Sequence, residues 1–165
     1  MVIRPLDPLA DAALLTGFFA AAADYIALER DSAPGPELLD EFFNDAPPGC
    51  DPAASARLGM FGDDGLQAIA EMGFGYPQPR DAYLGLMLLH PGARGNGNGA
   101  RFLRHLEELA RGRGMERLLL AVLEINPRGR AFWEREGFRL EVANREVELG
   151  GVKRVAHRLA KPLVP

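Results

Sequence analysis

Apolar residues between Asp11 and Arg30 fall at Leu14, Leu15, Phe18, Phe19, Ala22, Ala23, Tyr25 and Ile26, the spacing of one helix face. SAPGP (Ser32–Pro36) interrupts that period, and Leu38, Leu39, Phe42 and Phe43 resume it over Glu37–Asn44. DAPPGCDPA (Asp45–Ala53) has the composition of a loop. Three strand-like segments follow, Ala56–Phe61, Leu66–Phe74 and Ala82–Leu89, parted by FGDDG and GYPQPRD. Short strands bounded by turns in succession predict an antiparallel meander. A further short strand, Val2–Leu6, precedes the first helix and is closed by Pro8. Beyond the meander, Phe102, Leu103, Leu106, Leu109 and Ala110 mark an amphipathic helix over Gly99–Arg111, ended by Gly112–Gly114. Glu116–Glu124 is a buried strand. Asn126 as N-cap and Pro127 at the first helical position start a short helix that Gly137 stops. Phe138–Val142 and Val152–Leu159 predict two last strands, with a turn at Leu149–Gly151.

The 165 residues suffice for one domain, 1–165, with one buried core, and no linker or repeat divides them. A net charge of −4 and a pI of about 5.4 argue against a nucleic-acid partner, which would want a basic balance. Cys50 is the single cysteine, so no internal disulfide forms; with His90, His105 and His157 it makes no zinc spacing, and no metal is expected. The longest apolar run, Leu118–Leu123, falls far short of the ~20 residues of a membrane helix. The N-terminus lacks a basic region followed by a long apolar run, so the expectation is a cytoplasmic chain, mature as written.

The chemistry-bearing stretch is HPGARGNGNGARF (His90–Phe102), which concentrates Gly92, Gly95, Gly97 and Gly99 between a strand and a helix. Backbone N–H groups at a helix start form an anion site, and glycines let a ligand approach that backbone closely. Three phosphate-bearing ligands compete. Gly95, Gly97 and Ala100 satisfy the dinucleotide fingerprint, with Glu124 near the place of a ribose-binding acid. The context opposes it: His90–Arg94 separate strand and first glycine where a tight turn is needed, and too few residues follow Glu124 for repeated βαβ units. A triphosphate loop is absent, because no Gly-Lys-Ser or Gly-Lys-Thr occurs. Coenzyme A remains.

Arg94-Gly95-Asn96-Gly97-Asn98-Gly99 matches the pattern (Gln/Arg)-x-x-Gly-x-(Gly/Ala), and NPRGRAFWEREGF (Asn126–Phe138) follows at the right separation. Both stretches, and the order of elements along essentially the whole chain, resemble the GNAT N-acetyltransferase superfamily. The resemblance implies an α/β GNAT fold: a mixed, mostly antiparallel sheet of six to seven strands, splayed between the fourth and fifth, flanked by about four helices. It also implies acetyl-CoA as co-substrate. Gly95, Asn96, Gly97, Asn98, Gly99 and Ala100 would bind its pyrophosphate through backbone amides. Arg94 would position the loop or a phosphate. Leu88 and Leu89, on the fourth strand, would pair with the pantetheine arm, and Asn126 would bond that arm as well as cap its helix. Phe132 and Trp133 would pack near the thioester, although Phe132 also suits the apolar face of its helix. Asn98 stands where relatives place an aliphatic residue and reads as an N-cap.

Acyl transfer to an amine requires a polarised carbonyl, a base for the amine and a leaving thiolate. Relatives often use a tyrosine acid where this chain has Trp133, whose indole N–H is no usable acid. Tyr76 and Tyr83 are the substitutes; a thiolate also leaves with little help. Strand alternation puts Asp81, Tyr83, Gly85, Met87 and Leu89 on one face. Asp81, near the start of that strand, is the first candidate base, ahead of Glu71 and Glu124. The acceptor pocket would be lined by Ala22–Asp31 and Asn44–Ala53, where Asp24, Glu29, Asp31 and Asp45 suit a cationic amine unless they form only a solvated face. The sequence thus points to an N-acetyltransferase acting by direct transfer in a ternary complex on a primary amine of a small molecule or peptide. Its rival is a non-catalytic acyl-CoA-binding sensor of the same fold. The sequence leaves the oligomeric state open; dimers are common in the family, so the resemblance allows a homodimer.

Overall fold

Seven strands and five α-helices form from these apolar segments in a computed structural model that describes residues 1–164. The strands are β1 (Val2–Pro5), β2 (Ala56–Gly62), β3 (Gly65–Phe74), β4 (Asp81–Leu89), β5 (Arg117–Leu123), β6 (Arg139–Leu149) and β7 (Val152–Pro162). The helices are α1 (Ala12–Ala21), α2 (Ala23–Arg30), α3 (Glu37–Asn44), α4 (Asn98–Gly112) and α5 (Pro127–Arg135). One sheet runs in the order β1-β2-β3-β4-β5-β7-β6, antiparallel throughout except for the parallel pair β4 and β5.

Apolar cores lie on both faces of the sheet. One joins Phe102, Leu103 and Leu106 of α4 to Leu118 and Leu120 of β5 and to Phe138. The other packs Leu15, Phe18 and Phe19 of α1, Ile26 of α2 and Phe42 of α3 on Ile69 and Leu88. Strands covered on both faces read as continuous apolar runs, which is why Leu118–Leu120 shows no alternation.

Three elements differ from expectation. The helix predicted over Asp11–Arg30 is two helices, bent by 74° at Ala22. Ala22 is fully buried in the core that holds Phe18 and Ile26, so packing at that corner overrides a run of good helix formers. With this break the helices number five, one more than the resemblance implied. The predicted strand Phe138–Val142 continues to Leu149, paired with β7 through two register shifts and with Asn144 at φ 54°. Its exposed polar positions hide the strand pattern, as befits a sheet edge. Asn98, read as an N-cap, lies inside α4; Gly97 takes the cap position at φ 83°, a conformation that side chains resist.

Candidate active site

The parallel pairing of β4 and β5 spans only Asp81–Leu84 against Arg117–Leu120. Past Leu84 and Leu120 the strands part. The local cause is a bulge in β4: Met72 of β3 faces Leu84 and Glu71 faces Leu86, so Gly85 is an extra residue. The bulge also inverts the strand's phase. Ala82 and Leu84 face the α4 core, as do Met87 and Leu89 beyond the bulge, while Leu86 and Leu88 turn to the α1–α3 face. The strict alternation expected from Asp81 through Leu89 is therefore wrong past Gly85, because one inserted residue exchanges the two faces.

The parted strands open a cleft of about 900 Å³, walled by Gly85–Leu89 of β4, Leu120–Val122 of β5, the glycine loop and one side of α5. Among the expected ligand contacts, Leu88, Leu89, Arg94, Gly95, Gly97, Gly99, Ala100, Asn126, Phe132 and Trp133 line it; Asn96 and Asn98 do not. Asp24, Tyr25 and Leu28, from the α2 segment expected beside the acceptor, line this cleft as well. Arg128 of α5 joins them, a position that no sequence signal singled out.

The loop at the cleft mouth is built by its backbone. Gly95 and Gly97 hold φ of 82° and 83°. Among the described residues no side chain caps α4, and its first turn, Asn98–Arg101, carries no acid. The leading N–H groups, which a helix cannot satisfy internally, therefore remain available to an anion. The Asn98 side chain turns inward: its Nδ2 donates to Ala93 O at 3.1 Å, and its Oδ1 accepts from Arg101. Arg94 positions the loop, bridging Asp24 of α2 at 2.6 Å and Leu89 O at 3.2 Å. A Cβ at Gly99 would sit 3.3 Å from the Phe132 ring, so this glycine lets α5 close on the start of α4. Asn126 caps α5, its Oδ1 accepting from Gly129 N–H at 3.0 Å. Its amide group lies where a Gly129 side chain would be, a close approach the sequence did not reveal. Trp133 stacks edge-on between Phe132 and Phe138, as a core residue that also faces the cleft.

The candidate bases are placed very differently. Asp81 is 3% exposed, and both its oxygens are taken by the Arg117 guanidinium at 2.9 and 2.8 Å, with Gln78 N–H on one of them. It ties β4 to β5 at the closed end of the splay. Glu124 is exposed and lies 3.6 Å from His157 Nε2. Glu71 is 7% exposed, and its Oε1 has no hydrogen-bond partner among the described residues. Its Oε2 occupies the space a Gly85 side chain would fill, so the carboxyl rests against the bulge where the splay begins. Burial pushes Glu71 up to about 7, against the pull of Arg57. Tyr83 meets Tyr76 edge-on at 5.3 Å, and burial pushes its phenol up. Two acids expected to receive a cationic amine are already paired, Asp24 with Arg94 and Asp31 with Arg154.

The family description "Acetyltransferase (GNAT) family" matches residues 23–138, and the chain belongs to that family of acyltransferases. Solved structures agree in fold. An acetyltransferase from Thermus thermophilus is 27% identical with a TM-score of 0.72, over 98% of this chain and 97% of that one. The ribosomal-protein-S18-alanine N-acetyltransferase from Escherichia coli is 17% identical with a TM-score of 0.71, over 99% and 94%. An IAA acetyltransferase from Bacillus cereus ATCC 14579 is 16% identical with a TM-score of 0.66, over 98% of each. No curated protein matches the chain.

Proposed function

We propose that the protein is an acetyl-CoA-dependent N-acetyltransferase that passes the acetyl group directly to a primary amine in a ternary complex. The observation that carries this is the cleft itself: an uncapped, acid-free helix start at one end and a strand edge freed by the Gly85 bulge at the other. Such an end-to-end arrangement fits a long ligand with phosphates at one extremity. Acetyl-CoA would supply a thioester, an acyl carbon with a good leaving group. Amides of Gly97, Asn98, Gly99 and Ala100 hold the pyrophosphate, and the Arg94–Asp24 bridge holds the loop. The edge of β4 beyond Leu84, unpaired toward β5, offers N–H groups to the pantetheine arm and to the acyl oxygen. Asn126 and Phe132 border the arm.

Glu71 is the base. It sits against Gly85 on the α1–α3 side, and it titrates near neutrality, where a base both deprotonates and regenerates efficiently. The amine nitrogen gives its proton to Glu71 and bonds the acyl carbon as the carbon–sulfur bond breaks. The thiolate leaves without a dedicated acid, since Trp133 supplies none. Asp81, the first choice from sequence, is committed to Arg117, and Glu124 is exposed to water beside His157. Neither is needed as a base.

Trp133 also favours a second reading, an acyl-CoA sensor without turnover. Free-thiol release with acetyl-CoA across an amine library distinguishes the two. The enzyme releases thiol with at least one amine class and slows roughly 100- to 1,000-fold in Glu71→Gln. Binding of acetyl-CoA without thiol release from any amine would establish the sensor instead.

A further inference from the structure

A second, smaller cavity lies on the α1–α3 side of the sheet, of about 130 Å³. Tyr76, Tyr83, Arg145 and Arg158 furnish its polar walls, and Pro47 and Pro48 close it from the loop after α3. Ala121 of β5 lines both this cavity and the cleft, just past the last β4–β5 pair. Ala121 faces Arg158 directly across the β5–β7 ladder, which roots that guanidinium one strand from the splay.

The charges here are unbalanced. On the same strands, Arg154 is neutralised by Asp31, and Arg117 by Asp81 and Glu141. Arg145 and Arg158 have no carboxylate within ion-pair distance among the described residues, and no acid lines the cavity. Arg158 Nη2 donates to Tyr76 Oη at 2.9 Å, while its Nε is buried without a partner. Two guanidiniums bordering a small, half-open space, one exposed and one with an unsatisfied buried donor, call for an anion. A guanidinium fork matches a carboxylate best. The volume admits about four waters' worth of ligand, a compact acidic head rather than a protein surface.

We infer that the acceptor is a small amino acid whose carboxylate is held by Arg158 and Arg145 while its amine reaches the Gly85 bulge past Ala121. This inference rests on acyl transfer at the adjoining cleft. It reverses the acidic acceptor site expected from sequence: the pocket recognises the acceptor's negative group, and the amine is left to Glu71.

The test uses free amino acids, each with its carboxamide and its decarboxylated amine, in two separate assays. Calorimetric binding to the coenzyme A-loaded protein reads recognition alone. The expected result is binding of the amino acid at least tenfold tighter than of its two counterparts. Arg158→Gln should weaken that binding roughly 10- to 100-fold, and Arg145→Gln, at an exposed position, should weaken it without endangering the fold. The affinity for coenzyme A should not change in either. Equal binding of the decarboxylated amines by the wild-type protein, or a preference unmoved by both substitutions, overturns the inference. Thiol release in the second assay reports acyl transfer. Its absence alongside selective carboxylate binding would fault the transferase reading and leave the arginine site standing.

Discussion

Glu71 and Asp81 are both carboxylates buried in the same sheet, yet one is unpaired and the other is saturated. That contrast sets their roles. Glu71 holds its proton more tightly in the fold than in the unfolded chain, up to about 7 against an ordinary value of 4.5. Folding stability is therefore greatest below the unfolded value and declines as pH rises through the folded one, by up to about 3 kcal/mol. Glu71→Gln removes that decline. The variant should match the wild type in thermal stability at pH 5, exceed it at pH 8, and lose acyl transfer at both. The wild-type rate should rise with pH to a plateau above about 7, as Glu71 ionises. A variant that is less stable at pH 8, or a rate flat from pH 6 to 8, contradicts this role. Asp81→Asn should behave oppositely. Losing a bidentate, half-buried pair should destabilise by roughly 2–4 kcal/mol in denaturant melts, while the rise of rate with pH stays in place. Asp81 was the first candidate from sequence because position along a strand can be read there and pairing cannot. Its partner Arg117 lies 36 residues away and meets it only through the parallel register. Gly85 did carry a signal, since a lone glycine inside a strand marks a bulge or a close approach. Glu71 fills the very space that glycine leaves.

At the scale of elements, β4 is two half-strands with a phase change between them. Its first half is paired on both edges; its second is paired only to β3. In hydrogen–deuterium exchange, the β5-facing amides of Gly85–Leu89 should exchange much faster than those of Asp81–Leu84. Acetyl-CoA should protect them together with the amides of Arg94–Ala100. Unchanged exchange in both stretches on adding the ligand would mean that it binds elsewhere. Most elements were legible because their period and end signals agree: Asn126 with Pro127 at the start of α5, Gly137 at its stop, the apolar stripe of α4. Two were not. The corner between α1 and α2 has no glycine or proline to announce it, since a buried alanine sets the bend. The far half of β6 is an edge strand with exposed polar residues, so its pairing with β7 leaves no apolar trace.

On the scale of the whole molecule, the fold places two sets of helices on opposite faces of one sheet and lets the sheet open between them. The glycine loop and α5 border the opening from the α4 side; on the α1–α3 side Glu71 rests against Gly85, and the tyrosines and unpaired arginines line the smaller cavity. The glycine loop and the start of α5 were legible as structure, because glycines at special φ and a capped helix carry local signatures. The smaller cavity was not. It is assembled from a loop after α3, the β3–β4 connection and four strands, and no local pattern joins Tyr83 to Arg145 or Arg158. The proposed acyl transfer depends on acetyl-CoA occupying the cleft, which a calorimetric titration of the intact chain tests most directly. The wild-type protein should bind one acetyl-CoA per chain, and Gly97→Val should abolish binding. Valine resists the φ of 83° that aims the helix amides outward. Undiminished binding in the variant, or binding of NAD in place of acetyl-CoA, would contradict the account.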